Sequence, residues 1–213
     1  MSRHTSIALV GYLTLIAAYF TLKFTGALSH CEWFMVIPTL FASLAAFVHA
    51  RRGGWLIPLA LLASAAGDYG GAVDAFLPQV ACFALAHIIY LCDFVPRCRF
   101  SRGKCIGSTL YSLPLVAYLI FVLTRTSSAI EQIAIGCYGL IILSMGLATI
   151  FQERTHKWWY VVAATIFIFS DAVIVYVRVV DSLPHAGTII MATYYAAQGA
   201  FLALHSMRHD TQD

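Results

Sequence analysis

Apolar positions in this chain come in long blocks and do not alternate with polar ones. Eight apolar runs, at 7–24, 33–48, 55–73, 75–95, 106–124, 132–151, 158–180 and 186–204, are separated by short polar or glycine-bearing joints. A helix needs roughly 20 apolar residues to cross the ~30 Å hydrocarbon layer of a bilayer, and the runs come close to that length. The pattern predicts an all-α, polytopic integral membrane protein: a single domain of eight transmembrane helices over 1–213. No low-complexity linker or convincing internal repeat interrupts the runs. The first run opens after only MSRHTS and has no small-residue cleavage site, so it is expected as a retained helix and not a removed signal peptide.

Composition agrees with a bilayer protein and excludes a soluble one. Of the 213 residues 61% are hydrophobic and 11% charged, with mean hydropathy +0.81. The net charge of +3 reports orientation, not an acidic partner, and nucleic-acid binding has no support. Eight spans place Arg3, Arg51, Arg52, Arg97, Arg99, Arg102, Lys104, Arg154, Lys157 and Arg208 on the side holding both termini, against Lys23, Arg125 and Arg178 opposite. Ten against three is a positive-inside bias that predicts both termini in the cytoplasm. The basic segment PRCRFSRGK at 96–104 is read first as this orientation signal and second as a contact for anionic lipid. Trp33, Trp55, Trp158 and Trp159 stand at run ends, as interfacial aromatics do. Six singly scattered cysteines give neither a disulfide framework nor a zinc knuckle.

The residues that carry information in hydrocarbon are the polar ones. A carboxylate at a helix centre costs about 2.5–3.5 kcal/mol on insertion scales. Asp68, His87 and Asp171 all stand well inside runs, whereas Asp93 and Asp74, near run ends, are expected to reach water. Glycines around Asp68, in Gly67-Asp68-Tyr69-Gly70-Gly71, are expected to weaken the helix and admit backbone and water to the carboxylate. His87 and Tyr90 are three apart and share a face. Ser170 precedes Asp171, and in the last helix Tyr194, Tyr195 and Gln198 share a face at spacings of three and four. Hairpins of the third with the fourth and the seventh with the eighth helix would gather these groups into one cavity.

Each group also has a structural reading. Asp68 and Asp171 could lock helix packing through buried hydrogen bonds; His87 could be a satisfied core imidazole; Tyr90, Tyr194, Tyr195 and Gln198 could join helices. His49 and His205, at run ends, are expected at the interface. There is no HExxH, phosphate-binding loop or dinucleotide fingerprint. Gly103-Lys104-Cys105-Ile106-Gly107 imitates a nucleophile elbow without its strand–turn–helix setting.

The stretch LLASAAGDYGGAVDAFLPQVACFALAHIIYLCDF resembles the Gly-Asp and Ala/Ser-His-x-x-Tyr segment of the YhhN-type lysoplasmalogenases. IFSDAVIVYVRVV followed by TYYAAQGAF resembles their Ser-Asp and Tyr-x-x-x-Gln segment. The likeness covers the whole length and the eight-span layout. One departure is Met35-Val36-Ile37-Pro38, where members of that family often carry a Lys beside the proline; were that Lys to help hold a phosphate, headgroup handling here would differ.

The resemblance implies hydrolysis of the vinyl ether bond of lysoplasmalogens to a fatty aldehyde and glycerophosphocholine or glycerophosphoethanolamine. That bond is cleaved by proton addition to the alkenyl carbon, capture of the oxocarbenium ion by water, and collapse of the hemiacetal. Two carboxyls meet the need, one as acid and one to stabilise the cation and steer water. Asp68 and Asp171 are the expected pair, with the more deeply set Asp171 preferred as acid. His87 would orient a carboxylate or the water. Ser170, Tyr90, Tyr194, Tyr195 and Gln198 would line the cavity or bind the substrate's glycerol oxygen. The chemistry asks for no cofactor and no metal; the partners are a lysophospholipid substrate and membrane lipids. Short loops and the absence of sorting signals suggest a bacterial inner membrane. A proton-coupled transporter using the two Asp as a relay is the second reading, a metal-dependent membrane lipid hydrolase the third.

Overall fold

A computed structural model describes residues 3–50 and 54–210. Eight helices appear in chain order: α1 (Arg3–Phe24), α2 (Val36–His49), α3 (Leu56–Ala72), α4 (Phe76–Phe94), α5 (Arg102–Arg125), α6 (Ala129–Phe151), α7 (Lys157–Val179) and α8 (Ala186–Asp210). Each matches one apolar run to within a few residues, apart from the longer polar ends of α5 and α8. Short 3-10 turns at Ala27–His30 and Glu32–Met35 lead into α2, and another at Val95–Arg97 follows α4. Arg51 and Arg52, counted above for orientation, and the side chain of Arg208 lie outside the described residues.

Seven of the described helical segments are long and apolar enough to cross a membrane. The helix left out is α3: at 17 residues and ~1.5 Å per residue it extends ~25 Å, short of a ~30 Å hydrocarbon layer. The helix starts follow local rules. Pro38, Pro58 and Pro78 each stand third in α2, α3 and α4, where a backbone N–H has no intrahelical partner to lose. Ser101 and Ser128 cap α5 and α6, accepting from the backbone N–H of Lys104 and Glu131 at 3.4 Å each. Three joints turn on non-glycine residues with positive φ, Asp74 (52°), His156 (62°) and His185 (60°).

The chain separates into two compact units, Met1–Ile89 with Gln198–Asp213, and Tyr90–Ala197. In the first, α2 and α3 pack closely and Ser43 Oγ donates to Pro58 O over 2.9 Å. The glycine-rich stretch in α3 behaves differently from the expectation. Residues 67–71 stay helical, and the missing side chains serve packing against α4. A Cβ on Gly67 would come within 2.8 Å of the Phe83 ring, and one on Gly70 within 2.9 Å of the Gln79 backbone. Small residues here buy close approach, not a broken helix. His205 is buried, not interfacial; its Nε2 lies 3.2 Å from Ala46 O.

In the second unit α6 packs between α5 and α7. Leu119 crowds the bare Cα of Gly139, and Ile168 and Tyr111 crowd that of Gly146. α5 buries only Val122 and leaves Ile106, Leu110, Leu113 and Ile120 exposed, a surface suited to acyl chains and not to water. Where α4 leads to α5 and α6 to α7, the two loops form an antiparallel bridge at Cys98 and Gln152. Asp93, expected to reach water, is instead buried. Arg154 Nη2 lies 2.6 Å from its Oδ2 and Arg97 Nη1 3.2 Å from its Oδ1, because two cations satisfy the carboxylate where water does not reach.

Candidate active site

Asp171 sits two thirds of the way along α7. Ile168, Asp171, Ala172 and Val175 recur at helical spacing and turn one face toward α5 and α6. There they join Leu115, Tyr118 and Leu119 of α5 and Ile135, Tyr138 and Ile142 of α6 around a cavity of about 510 Å³. Its volume falls within the roughly 300–1,000 Å³ usual for small-molecule sites. The lining is almost wholly aliphatic and aromatic, with Thr165 and the three tyrosines Tyr118, Tyr138 and Tyr176 as its other polar groups beside the carboxyl. Exposed Phe169, Thr165 and Leu183 form part of its rim.

The carboxyl is held. Tyr138, buried in α6, donates its hydroxyl to Asp171 Oδ2 over 2.6 Å. One residue on, Tyr118 donates to Ala172 O over 2.5 Å, tying α5 to the same turn of α7. Tyr111 and Thr165 share a hydrogen bond of 3.0 Å nearer the other end. A buried carboxyl is expensive unless bonded, and the phenol offsets part of that cost while fixing the rotamer. The resulting acid or carboxylate, in a cavity lined mainly by apolar side chains, can deliver a proton to an apolar substrate or stabilise positive charge on it.

Tyr138 escaped the sequence reading. A tyrosine within a span is common and carries no insertion penalty comparable to that of Asp. Its signal was Gly139 beside it, a small residue that lets α5 close on this turn of α6 through Leu119.

The remaining expected residues of this unit are buried among helix contacts. Ser170 Oγ donates to Ile190 O over 3.1 Å, joining α7 to the start of α8. Tyr194 meets Phe167 edge-on at 5.5 Å and Tyr195 at 5.6 Å. Tyr90 stacks on Phe94 at 5.9 Å, and Phe94 meets Tyr160 edge-on at 5.7 Å. None of Tyr90, Ser170, Tyr194 and Tyr195 lines the cavity with Asp171.

In the other unit Asp68, His87 and Gln198 are all buried. His87 Nδ1 lies 2.6 Å from Phe83 O. A carbonyl only accepts, so Nδ1 carries a proton. Among the described residues no three His, Cys, Asp or Glu side chains come together as a metal-binding group.

Comparison with known proteins places the chain. It is 34% identical to lysoplasmalogenase TMEM86B of Rattus norvegicus over 155 residues, 72% of this chain and 62% of that protein. The Mus musculus counterpart is 34% identical over 158 residues, 73% of this chain and 65% of that protein. The Homo sapiens counterpart is 32% identical over 174 residues, 78% and 73% respectively. The chain thus spans somewhat less than two thirds of the rat and mouse proteins it matches. No solved structure matches it. Residues 31–204, which carry α2 to α7 and most of α8, match the YhhN family, and the chain belongs to that family.

Proposed function

We propose that this protein is a membrane lysoplasmalogenase, hydrolysing the vinyl ether bond of lysoplasmalogens to a fatty aldehyde and glycerophosphocholine or glycerophosphoethanolamine. Family membership and the name borne by its relatives support the substrate class. The observation that carries the mechanism is Asp171, held by Tyr138 on the wall of an apolar cavity. Such a cavity suits an alkenyl chain, and a vinyl ether needs a proton donor where an ester would need a nucleophile and an oxyanion hole.

Asp171 gives its proton to the alkenyl carbon, and the positive charge moves to the ether-bearing carbon as an oxocarbenium ion. Water adds there and loses a proton to the carboxylate, giving a hemiacetal. The hemiacetal gives up its hydroxyl proton as its C–O bond to the glycerol breaks, the departing glycerol oxygen takes up a proton in exchange, and the aldehyde leaves. Tyr138 holds the carboxyl through both transfers. Asp68 is assigned the second carboxylate role, stabilising the cation, and His87 the orientation of water. Tyr90, Ser170, Tyr194, Tyr195 and Gln198, which lie off the lining of the Asp171 cavity, are assigned to the substrate's glycerol oxygen. The same reading has α3 completing eight spans, with both termini in the cytoplasm of a bacterial cell and the protein in its inner membrane.

The test is aldehyde release from lysoplasmalogen by purified protein in detergent, for wild type, Asp171→Asn and Asp68→Asn, each with a melting curve. Loss of turnover in folded variants supports the assignment. Normal turnover in either removes that residue, and an inactive wild type removes the activity.

A further inference from the structure

Where α4 leads into α5 and α6 into α7, two loops carry an excess of positive charge in a fixed frame. Arg99 N–H donates to Phe151 O and Glu153 N–H to Arg97 O, both over 2.9 Å. Lys104 Nζ donates to Arg99 O over 3.1 Å, to Phe151 O over 2.9 Å, and to the Glu153 carboxylate. The loops are therefore pinned at backbone and side-chain level.

The acidic groups at the junction are fully engaged. Asp93 is occupied by Arg97 and Arg154. Glu153 is held below the usual carboxylate range by the Lys104 hydrogen bond first, then by the charges of Lys104, Lys157 and Arg99. Several cations thus converge on one exposed carboxylate, and Arg102 is exposed in the first turn of α5, two residues before Lys104. Neither α5 nor α7 has an acidic residue in its first turn, although both helices begin here, where their dipoles favour negative charge. Phe100, Trp158 and Trp159 are exposed beside these cations, Phe100 at 80%, and Lys157 Nζ lies 5.3 Å from the Trp158 ring. Exposed aromatics next to basic groups mark the level of lipid headgroups.

We propose that this junction is a binding site for the phosphate headgroup of an anionic phospholipid, seated among Arg99, Arg102 and Lys157 with Phe100, Trp158 and Trp159 against its chains. It is distinct from the cavity at Asp171, which lies 14 residues along α7 from Lys157 and so ~21 Å away along the helix axis. A protein whose only need is orientation requires the charge but not the pinned frame.

Native mass spectrometry of the purified protein with equal phosphatidylglycerol and phosphatidylcholine tests this. Wild type is expected to retain phosphatidylglycerol preferentially, and each of Arg99→Ala, Arg102→Ala and Lys157→Ala to weaken that retention by up to about fivefold. Lys23→Ala/Arg125→Ala, which removes cations elsewhere, is expected to leave it unchanged. Retention in wild type is also expected to fall as salt rises, a readout that needs no variant to fold. Equal retention of the two lipids, insensitivity to salt, or equal losses in the Lys23/Arg125 variant overturns the proposal. So does thermal stabilisation by inorganic phosphate that matches phosphatidylglycerol, since the lipid would then not be the ligand.

Discussion

Tyr138 and Asp171, 33 residues apart on α6 and α7, meet in a buried hydrogen bond of 2.6 Å from phenol to carboxyl. This bond fixes one carboxylate oxygen toward α6 and so sets where the carboxyl points within the cavity. Tyr138→Phe keeps the ring and deletes the donor. Aldehyde release is expected to fall at least about tenfold, while stability drops by about 1–3 kcal/mol. Turnover together with a melting curve distinguishes this from general unfolding, in which both would collapse.

Gly70→Ala tests the close crossing of α3 and α4. The new methyl would meet the Gln79 backbone at 2.9 Å, and backbone cannot rotate aside as a side chain can. A loss of about 1–3 kcal/mol is expected, read as a lower melting temperature in detergent. Gly103→Ala, where nothing lies within 4 Å, serves as the contrast and should not destabilise.

Arg154 is placed to be a structural cation. Its side chain is 7% exposed and that of its partner Asp93 6%, and its guanidinium lies over the Phe94 and Tyr160 rings at 5.4 and 5.1 Å. Arg154→Met keeps much of the packing but leaves Asp93 to Arg97 alone. The expected cost is about 3 kcal/mol, and Asp93→Asn in the same background should recover part of it in a thermal melt.

The Lys104 and Glu153 contact gives a pH signature. Glu153 titrates below its ordinary value of 4.5 in the fold, so the contact contributes stability above that pH and loses it as pH falls through the depressed value. The melting temperature of wild type should therefore exceed that of Glu153→Gln at neutral pH, and the gap should close as the solution is acidified below the ordinary carboxylate value. A gap that widens on acidification would reverse the sign.

Much of the architecture was legible because hydropathy alone dictates it: each apolar run became one helix, and Pro38, Pro58 and Pro78 stand where helices begin. Polar residues near run ends were misread for one physical reason. Position along a helix tells how near water is along the axis, but not whether a partner arrives from the side. Asp93 met Arg154 from 61 residues away, and His205 met the Ala46 carbonyl from 159 away. Gly67 and Gly70 were misread likewise, since a glycine that loosens a lone helix can tighten a pair of them. Asp171 could be singled out by its insertion cost. Tyr138 could not, because only the crossing of α6 with α7 makes its hydroxyl special.

The single buried residue of α5 has a bearing on how this protein tolerates change. Where a helix hides only Val122, its outward positions answer to the solvent, and the solvent here is oil. Ile106, Leu110, Leu113 and Ile120 can be exchanged freely among greasy side chains, so drift should accumulate there, whereas the stave's inner edge at Leu115, Tyr118 and Leu119 is held by the cavity. Leu113 is accordingly a natural anchorage for a spin label or fluorophore that listens to the membrane without disturbing the protein's interior.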